Sequence, residues 1–152
     1  MKKSNLILSI LYLLIISCSN NGELNDELLI GTWFPEGHKG IYLDGTENYE
    51  SFNNTCFSEN RWVFNSDNEL TIVSFDGNNS NCEKIGDESL FWERLDETNI
   101  EIKGTDKESL DFEYIFKVEF TNEGLMKIYT PNETDSNGVE YKVSYQLFKR
   151  VE

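Results

Sequence analysis

One histidine and three cysteines are the side chains of this 152-residue sequence most suited to nucleophilic or metal chemistry. A serine or cysteine nucleophile needs a neighbouring base, and His38 is the only imidazole. It stands in the turn-like segment EGHKG, where we expect it to be exposed. A metal site needs more soft ligands than this. Carboxylate pairs such as Glu113 and Glu119 carry little information in so acidic a chain, and no glycine-rich phosphate motif is present. We therefore expect no catalytic residue, no metal ion and no cofactor.

The first residues have the character of a secretory signal. Met1-Lys2-Lys3 precedes an apolar run from Leu6 to Ile16, which is 11 residues long. A helix that spans a membrane needs about 20 apolar residues. A charged start, a short apolar middle and small residues at its end instead predict a cleaved signal peptide over residues 1–17.

The signal ends in Ile15-Ile16-Ser17-Cys18, which resembles the bacterial lipobox. In that motif the peptide is cut before the cysteine, whose thiol carries a diacylglycerol. The resemblance implies that Cys18 is lipidated and anchors the protein to a membrane, since each buried acyl CH₂ contributes about 0.8 kcal/mol. Ser19, rather than Asp, resembles the pattern sent to the outer membrane. We expect a cell-envelope lipoprotein of the outer membrane, on either the periplasmic or the surface face of that membrane. Residues 18–27 should form a flexible tether.

Lipidation of Cys18 leaves Cys56 and Cys82 as an even pair of thiols in an oxidising compartment. Such a pair predicts a disulfide. By the chain-entropy estimate, closing a loop of this length contributes about 3–4 kcal/mol to stability.

The net charge of the chain limits the classes of partner that it can bind. Without Lys2 and Lys3, 11 Lys and Arg side chains stand against 28 Asp and Glu, a formal charge of −17. A surface of this sign repels nucleic acid and anionic lipid. We expect no nucleic-acid partner, and the sequence names no protein partner.

Apolar residues after Glu27 alternate with polar ones, as they do in β-strands. Short turns separate three pairs of such segments and predict hairpins: 59–64 with 69–75, 89–95 with 99–103, and 111–120 with 125–130. Strands over 28–34 and 139–151 make eight, while residues 37–56 fit short strands or a lid. Eight strands joined by hairpins hide their edges most easily by closing. The predicted fold is all-β, a single antiparallel up-and-down β-barrel over residues 28–152.

The alternation also predicts which side chains face inward. In the strand over 111–120, one face carries Phe112, Tyr114, Phe116, Val118 and Phe120. In the last strand, the corresponding face carries Val139, Tyr141, Val143, Tyr145 and Leu147. A shift of either register by one residue would bury polar or charged groups.

The motif Gly31-Thr32-Trp33 at the start of the first strand resembles the lipocalin signature, whose tryptophan closes one barrel end under a basic residue of the last strand. Arg150, or Lys149, stands at the matching place. More closely, the chain resembles the lipocalin-like lipoprotein domains of Bacteroidota through Leu29-Ile30-Gly31-Thr32-Trp33, Cys56, Trp62-Val63-Phe64, Cys82 and Trp92. The resemblance covers nearly the whole chain after Cys18. It implies a lipocalin-like β-barrel domain.

Two functions remain open at this stage. An eight-stranded barrel can hold one small ligand or can be filled by its own side chains. If it binds a ligand, the wall residues are aromatic and include tyrosines that offer hydroxyl groups: Trp62, Trp92, Phe112, Tyr114, Phe116, Tyr141 and Tyr145. If it is filled, the protein acts through its loops as an interaction or structural module of the envelope.

Overall fold

The computed structural model of the chain describes residues 26–78, 81–105, 111–122, 124–131 and 133–151, with residues 105 and 111–113 described by their backbone alone. A helical turn, α1 (Asp26–Leu29), begins this part of the chain, and a 3₁₀ helix (Cys56–Glu59) follows the second strand. The strands are β1 (Gly31–Ile41), β2 (Glu47–Ser51), β3 (Arg61–Phe64), β4 (Glu69–Asn78), β5 (Asn81–Arg94), β6 (Asn99–Thr105), β7 (Asp111–Asn122), β8 (Leu125–Thr130) and β9 (Val143–Val151). In these ranges no helix has the length and apolarity that a membrane crossing requires.

Eight of the strands form a closed antiparallel ring. β1 pairs with β3, the strands β3 to β9 pair in chain order, and β9 returns to β1. This last pairing runs from Thr32 opposite Val151 to Ile41 opposite Val143. β2 pairs with the second half of β1, from Gly37 to Ile41. The predicted up-and-down barrel is therefore confirmed.

The three predicted hairpins are present as β3–β4, β5–β6 and β7–β8. The undecided stretch 37–56 contains the second half of β1 and all of β2. The predicted disulfide is also confirmed, because Cys56 and Cys82 are bonded, with their Cα atoms 5.2 Å apart. The disulfide joins the 3₁₀ helix to the start of β5.

The first strand starts later than predicted. Leu28 and Leu29 belong to α1, where the Ile30 N–H donates to the Asp26 carbonyl (2.9 Å). The helical turn places Leu29, which is fully buried, beneath the barrel, and the Trp33 indole N–H donates to the Leu29 carbonyl (2.8 Å). Burial at the barrel end thus outweighs the strand pattern of these apolar residues.

The barrel core lies at the end that contains Trp33. Side chains from α1 and from every strand of the ring meet there, and all are at least 96% buried. They are Leu29, Trp33, Phe64, Leu70, Leu90, Trp92, Ile100, Ile102, Val118, Met126, Ile128 and Phe148. At roughly 1.5–3 kcal/mol for each large apolar side chain, this packing is the main source of stability.

The prediction for the inward face of the last strand is wrong. β9 begins at Val143, and its inward residues are Ser144 and Phe148, which are 4% and 1% exposed, rather than Tyr145 and Leu147. Leu147 and Phe148 are adjacent, so either register offers an apolar face. The core selects the larger side chain: Phe148 pairs with the fully buried Met126, and its ring centre lies 5.1 Å from that of Trp62.

Between β8 and β9 the chain forms an extension that we call the arm (residues 131–142, of which 132 lies outside the described ranges). The arm is itself a short hairpin, because Thr134 pairs with Glu140 and the Tyr141 N–H donates to the Glu133 carbonyl (2.9 Å). It departs from the barrel wall at the end opposite Trp33. We call these the arm end and the Trp33 end.

Candidate functional site

Several inward side chains beside the core cluster are only partly buried. Trp62, Ile72 and Phe116 are half-buried and pack against that cluster, and Trp62 pairs directly with Trp33. Tyr114 is 57% exposed, although its cross-strand partner Ile102 is 2% exposed and shares its face. We call the space beside these four side chains the hollow. Inward-facing aromatic groups that stay accessible indicate room that the protein does not fill itself.

The wall that β1 and β9 form toward the arm end is polar. His38, Ser144 and Gln146 face inward, since Gln146 pairs with His38 on one side and with the buried Ile128 on the other. The Ser144 hydroxyl donates to the Thr130 carbonyl (2.7 Å). The interior therefore combines an apolar wall from β3, β4 and β7 with a polar wall from β1 and β9.

Side-chain contacts hold the arm against the β1–β2 hairpin. Tyr42 Oη donates to Asp135 Oδ2 (2.9 Å), Asn48 Nδ2 donates to Tyr141 Oη (2.7 Å), and His38 Nε2 lies 2.5 Å from Glu133 Oε2. The last contact is a close polar contact without a hydrogen bond. These contacts are polar, in contrast to the apolar packing of the core.

Hydrogen bonds at the tip of the arm set the ionisation of the Asp135 carboxyl group. The Val139 N–H, the Tyr42 hydroxyl and the Asn137 N–H all donate to Asp135, and they lower the pKa of its carboxyl group. The same hydrogen bond from Tyr42 to Asp135 raises the pKa of the Tyr42 hydroxyl. Around neutral pH, a carboxylate therefore accepts this bond from a neutral phenol.

Tyr141, one of the predicted wall residues, belongs to the arm and not to β9. It is 7% exposed, and its ring lies 4.9 Å from that of Tyr42, centre to centre. A Cβ on Gly40 would lie 2.1 Å from the Tyr141 ring, so glycine is needed at this position of β1 for the arm to pack. The Tyr141 side chain closes part of the arm end and does not line an open wall.

Tyr145 faces the outside of the barrel. Its ring lies 5.4 Å from that of Tyr129, and the Lys127 Nζ lies 5.2 Å from its centre. The prediction of an inward Tyr145 fails for the reason that applies to the whole of β9: Phe148 takes the inward register. On this outer wall Tyr129 donates to Glu119 Oε2 (2.5 Å), and the bond lowers the pKa of the Glu119 carboxyl group.

The other predicted residues fall into separate environments. Trp92 is 4% exposed within the core, and its indole N–H donates to the Asn65 carbonyl (3.3 Å). The side chain of Phe112 lies outside the described residues. Trp62, Tyr114 and Phe116 remain together at the hollow. The structure thus divides a set of residues that the sequence placed on one wall.

The signature residues of the Trp33 end lie together. Gly31 begins β1 with a φ of 142°, and Trp33 is fully buried. Arg150 lies over the Trp33 ring, 5.8 Å from its centre, and donates to the Ile30 carbonyl (2.7 Å). This arrangement matches the one that the resemblance implies, with Arg150 rather than Lys149 as the basic residue. Cys18 lies outside the described ranges.

Sequence reasoning missed the polar residues of the arm end. His38 is not in an exposed turn: it lies in β1, and its side chain is 17% exposed. A bulge between Pro35 and Gly37 changes the alternation of β1, so that His38 and Gly40 share the inward face with Trp33. The sequence contains no signal for the bulge itself. The alternating spacing of His38, Gly40 and Tyr42 is the signal from which their shared face could have been predicted.

Two clefts flank the base of the arm. The mouth cleft has a volume of about 440 Å³ and lies between Leu43, the end of β8 and residues 140–144. The side cleft, of about 340 Å³, lies between Ile115 and Lys117 of β7, residues 129–131 and residues 142–144. A third, of about 530 Å³, is lined by the single turn 94–98. The described residues contain no group of His, Cys, Asp and Glu that could hold a metal ion.

Comparison with known proteins finds a similar architecture among solved structures. No protein-family model matches the sequence, and no curated protein matches it. Among solved structures, the chain is similar to a lipocalin-like protein from Bacteroides uniformis, with a TM-score of 0.49 and 15% sequence identity over 82% of this chain and 99% of that chain. The assignment of the fold rests on the strand pairing described above: this chain is a closed, eight-stranded antiparallel barrel.

Proposed function

We propose that this protein is a cell-envelope lipoprotein whose lipocalin-like barrel binds one small apolar molecule in the hollow. The proposal joins two parts of the molecule. Cys18 and the preceding signal supply the membrane anchor, and the hollow supplies the ligand site. The polar wall opposite the hollow gives the site a few hydrogen-bonding groups among apolar ones, the composition usual for small-molecule sites.

The observation that carries the ligand site is the contrast between the core cluster and the hollow. The side chains of the core cluster are almost completely buried, whereas Trp62, Ile72 and Phe116 are half-buried and Tyr114 is 57% exposed. Removing apolar surface from water contributes a favourable free energy of about 25 cal/mol per Å². An apolar ligand in the hollow would therefore be stabilised by surface that the protein already presents.

The polar side chains at the arm end are suited to binding rather than to catalysis. His38 contacts Glu133, and the Ser144 hydroxyl is committed to the Thr130 carbonyl. No Ser or Cys side chain in the described ranges donates to His38. The residues offer a surface for a ligand and no nucleophile that a base activates.

The ligand site is tested by titration with a neutral apolar fluorophore, N-phenyl-1-naphthylamine. We expect saturable binding of one probe per protein, weakened several-fold by Phe116→Ala. Phe91→Ala is the matched control, because Phe91 is 63% exposed and faces outward beside Lys103. Non-saturable uptake, or equal effects of the two substitutions, would contradict the ligand site and favour a barrel that acts through its loops.

The anchor is tested separately in cells. Labelling with an alkyne-bearing fatty acid should mark the wild-type protein, which should sediment with membranes. Cys18→Ser should abolish both results, whereas Ser19→Ala should preserve the label. A labelled Cys18→Ser protein would show that the anchor has been misassigned.

A further inference from the structure

The outer wall formed by β1, β7, β8 and β9 is rich in lysine although the chain as a whole is acidic, and Glu119 lies among these lysines. Residues 18–152 contain 11 Lys and Arg against 28 Asp and Glu. By register, this wall presents outward four of those 11 cations, and Lys142 adds a fifth at the base of the arm. The four are Lys39, Lys117, Lys127 and Lys149. So uneven a distribution creates a local positive field that net charge alone would not predict.

Two of these lysines, Lys117 and Lys142, line the side cleft. Lys39 lies 2.7 Å from Glu47 and Lys127 lies 3.4 Å from Glu119, so both have carboxylate partners. Neither Lys117 nor Lys142 has a carboxylate within ion-pair distance among the residues that the structure describes. Lys117 acts on the Glu119 carboxylate at longer range, without an ion pair, so both lysines that border the cleft keep hydrogen-bond donors for a ligand.

The position of Lys117 is fixed by an aromatic pair. Its Nζ lies 4.7 Å from the centre of the Tyr129 ring, and that ring packs against Tyr145. A cation over an aromatic face keeps its full charge and most of its hydrogen-bond donors. Little side-chain entropy is then lost when an anion binds, because the ammonium group is already held at the cleft.

The remaining surface of the side cleft is largely apolar. Ile115 is 56% exposed there, and Tyr129, Pro131 and Val143 line the same space. An apolar surround strengthens an ion pair by lowering the local dielectric constant. Charge and apolar surface together fit an amphiphile, with an anionic head between the two lysines and an apolar portion against Ile115 and Val143.

The size of the cleft and the charge of the chain exclude a polyanion. At about 340 Å³, the side cleft lies at the small end of the usual range of ligand sites, about 300–1,000 Å³. A longer anion would extend over the acidic remainder of the surface and be repelled. A single negative charge avoids that repulsion.

We infer that the side cleft is a second binding site, for a small amphiphilic anion that carries a carboxylate or phosphate head group. Its residues Ile115, Lys117 and Tyr129 lie on the outer wall, whereas the hollow lies inside the barrel. The inference therefore stands independently of the proposed function.

The test compares octanoate with octanol by amide chemical shifts of the ¹⁵N-labelled protein at low salt. Octanoate should give saturable shifts at Ile115, Lys117 and Val143, and octanol should bind at least about threefold more weakly. Lys117→Gln and Lys142→Gln should each weaken octanoate binding about three- to fivefold, as expected for partly exposed ion pairs, and leave octanol binding unchanged. Lys149→Gln, an exposed outer-wall lysine away from the cleft, is the matched control.

Several results would overturn the inference. Equal affinities for octanoate and octanol would show that charge plays no part. Equal weakening by Lys149→Gln would show a general field and no site. Octanoate shifts confined to Trp62 and Ile72 would place the anion in the hollow, which would leave the proposed function intact and remove the second site.

Discussion

At the residue scale, the outer wall shows how one hydroxyl group sets the charge of a carboxylate. The Tyr129 hydroxyl donates to Glu119, and Lys127 and Lys117 add favourable charge. These contacts stabilise the ionised carboxylate in the folded protein and lower the pKa of Glu119. In the unfolded chain the contacts are absent, so the carboxyl group returns to its ordinary pKa.

The first prediction concerns this pair. Because the folded pKa of Glu119 is lowered, its contribution to stability is complete above the ordinary carboxyl pKa and disappears as the pH falls through the folded value. Tyr129→Phe should raise the pKa of Glu119 and reduce the loss of stability on acidification. The carboxylate is partly exposed, so the effect at neutral pH should be less than about 1 kcal/mol.

The measurement is a ¹³C titration of the Glu119 carboxyl group together with urea unfolding between pH 3 and 7. Tyr145→Phe is the control. Tyr145 lies on the same wall, but the hydroxyl group that donates to Glu119 is that of Tyr129. An unchanged Glu119 titration in Tyr129→Phe would contradict the assigned cause.

At the element scale, the arm is a hairpin held by polar contacts on a barrel held by apolar packing. Of the arm residues described, Tyr141 is the buried hydrophobic one, at 7% exposure. Elements with few buried apolar contacts open at lower free energy than a packed core. The arm should therefore be able to separate from the β1–β2 hairpin while the ring remains closed.

The second prediction uses Gly40 to separate the two elements. Gly40→Ala places a methyl group where the Tyr141 ring lies, so the ring must move. We expect faster amide exchange in residues 133–141 and a loss of stability of about 1–3 kcal/mol, the usual cost of overpacking. Exchange in the Trp33-end strands should stay slow.

Hydrogen exchange followed by mass spectrometry gives the required regional readout. Gly86→Ala is the matched control, because a Cβ at that position meets no atom within 4 Å. Equal acceleration in both variants, or acceleration throughout the barrel, would mean that the arm does not move as a separate element.

The third prediction concerns the link between the 3₁₀ helix and β5. Reduction of the Cys56–Cys82 bond, or the double substitution to serine, frees a segment with a sequence separation of 26 residues. We expect a loss of about 3–4 kcal/mol from the chain-entropy term. Urea unfolding with and without reductant measures it, and identical midpoints would show that the bond adds nothing to the folded state.

Hairpins were readable from the sequence because a turn and two alternating segments are local signals. The pairs β3–β4, β5–β6 and β7–β8 follow this rule, and the inward register of Val118 follows from the charges on its opposite face. The register of β9 was not readable, because Leu147 and Phe148 make both faces apolar. Only the pairing of Phe148 with Met126, set by the closed ring, decides between them.

At the scale of the whole molecule, the barrel has one filled end and one that combines apolar and polar walls. Closure could be predicted, since a meander of eight strands leaves no other simple way to protect its edges. The position of the site could not. His38, Tyr42, Asp135 and Tyr141 meet only because of a bulge in β1 and the folding of the arm over it, and both are long-range features.

The most direct test of this account is to map a neutral apolar probe onto the barrel by amide and aromatic chemical shifts. With N-phenyl-1-naphthylamine, the account predicts saturable changes at Trp62, Ile72, Tyr114 and Phe116, and unchanged signals from Leu29 in α1. The absence of saturable changes, or changes confined to the outer wall at Tyr129 and Tyr145, would contradict a ligand site inside the barrel.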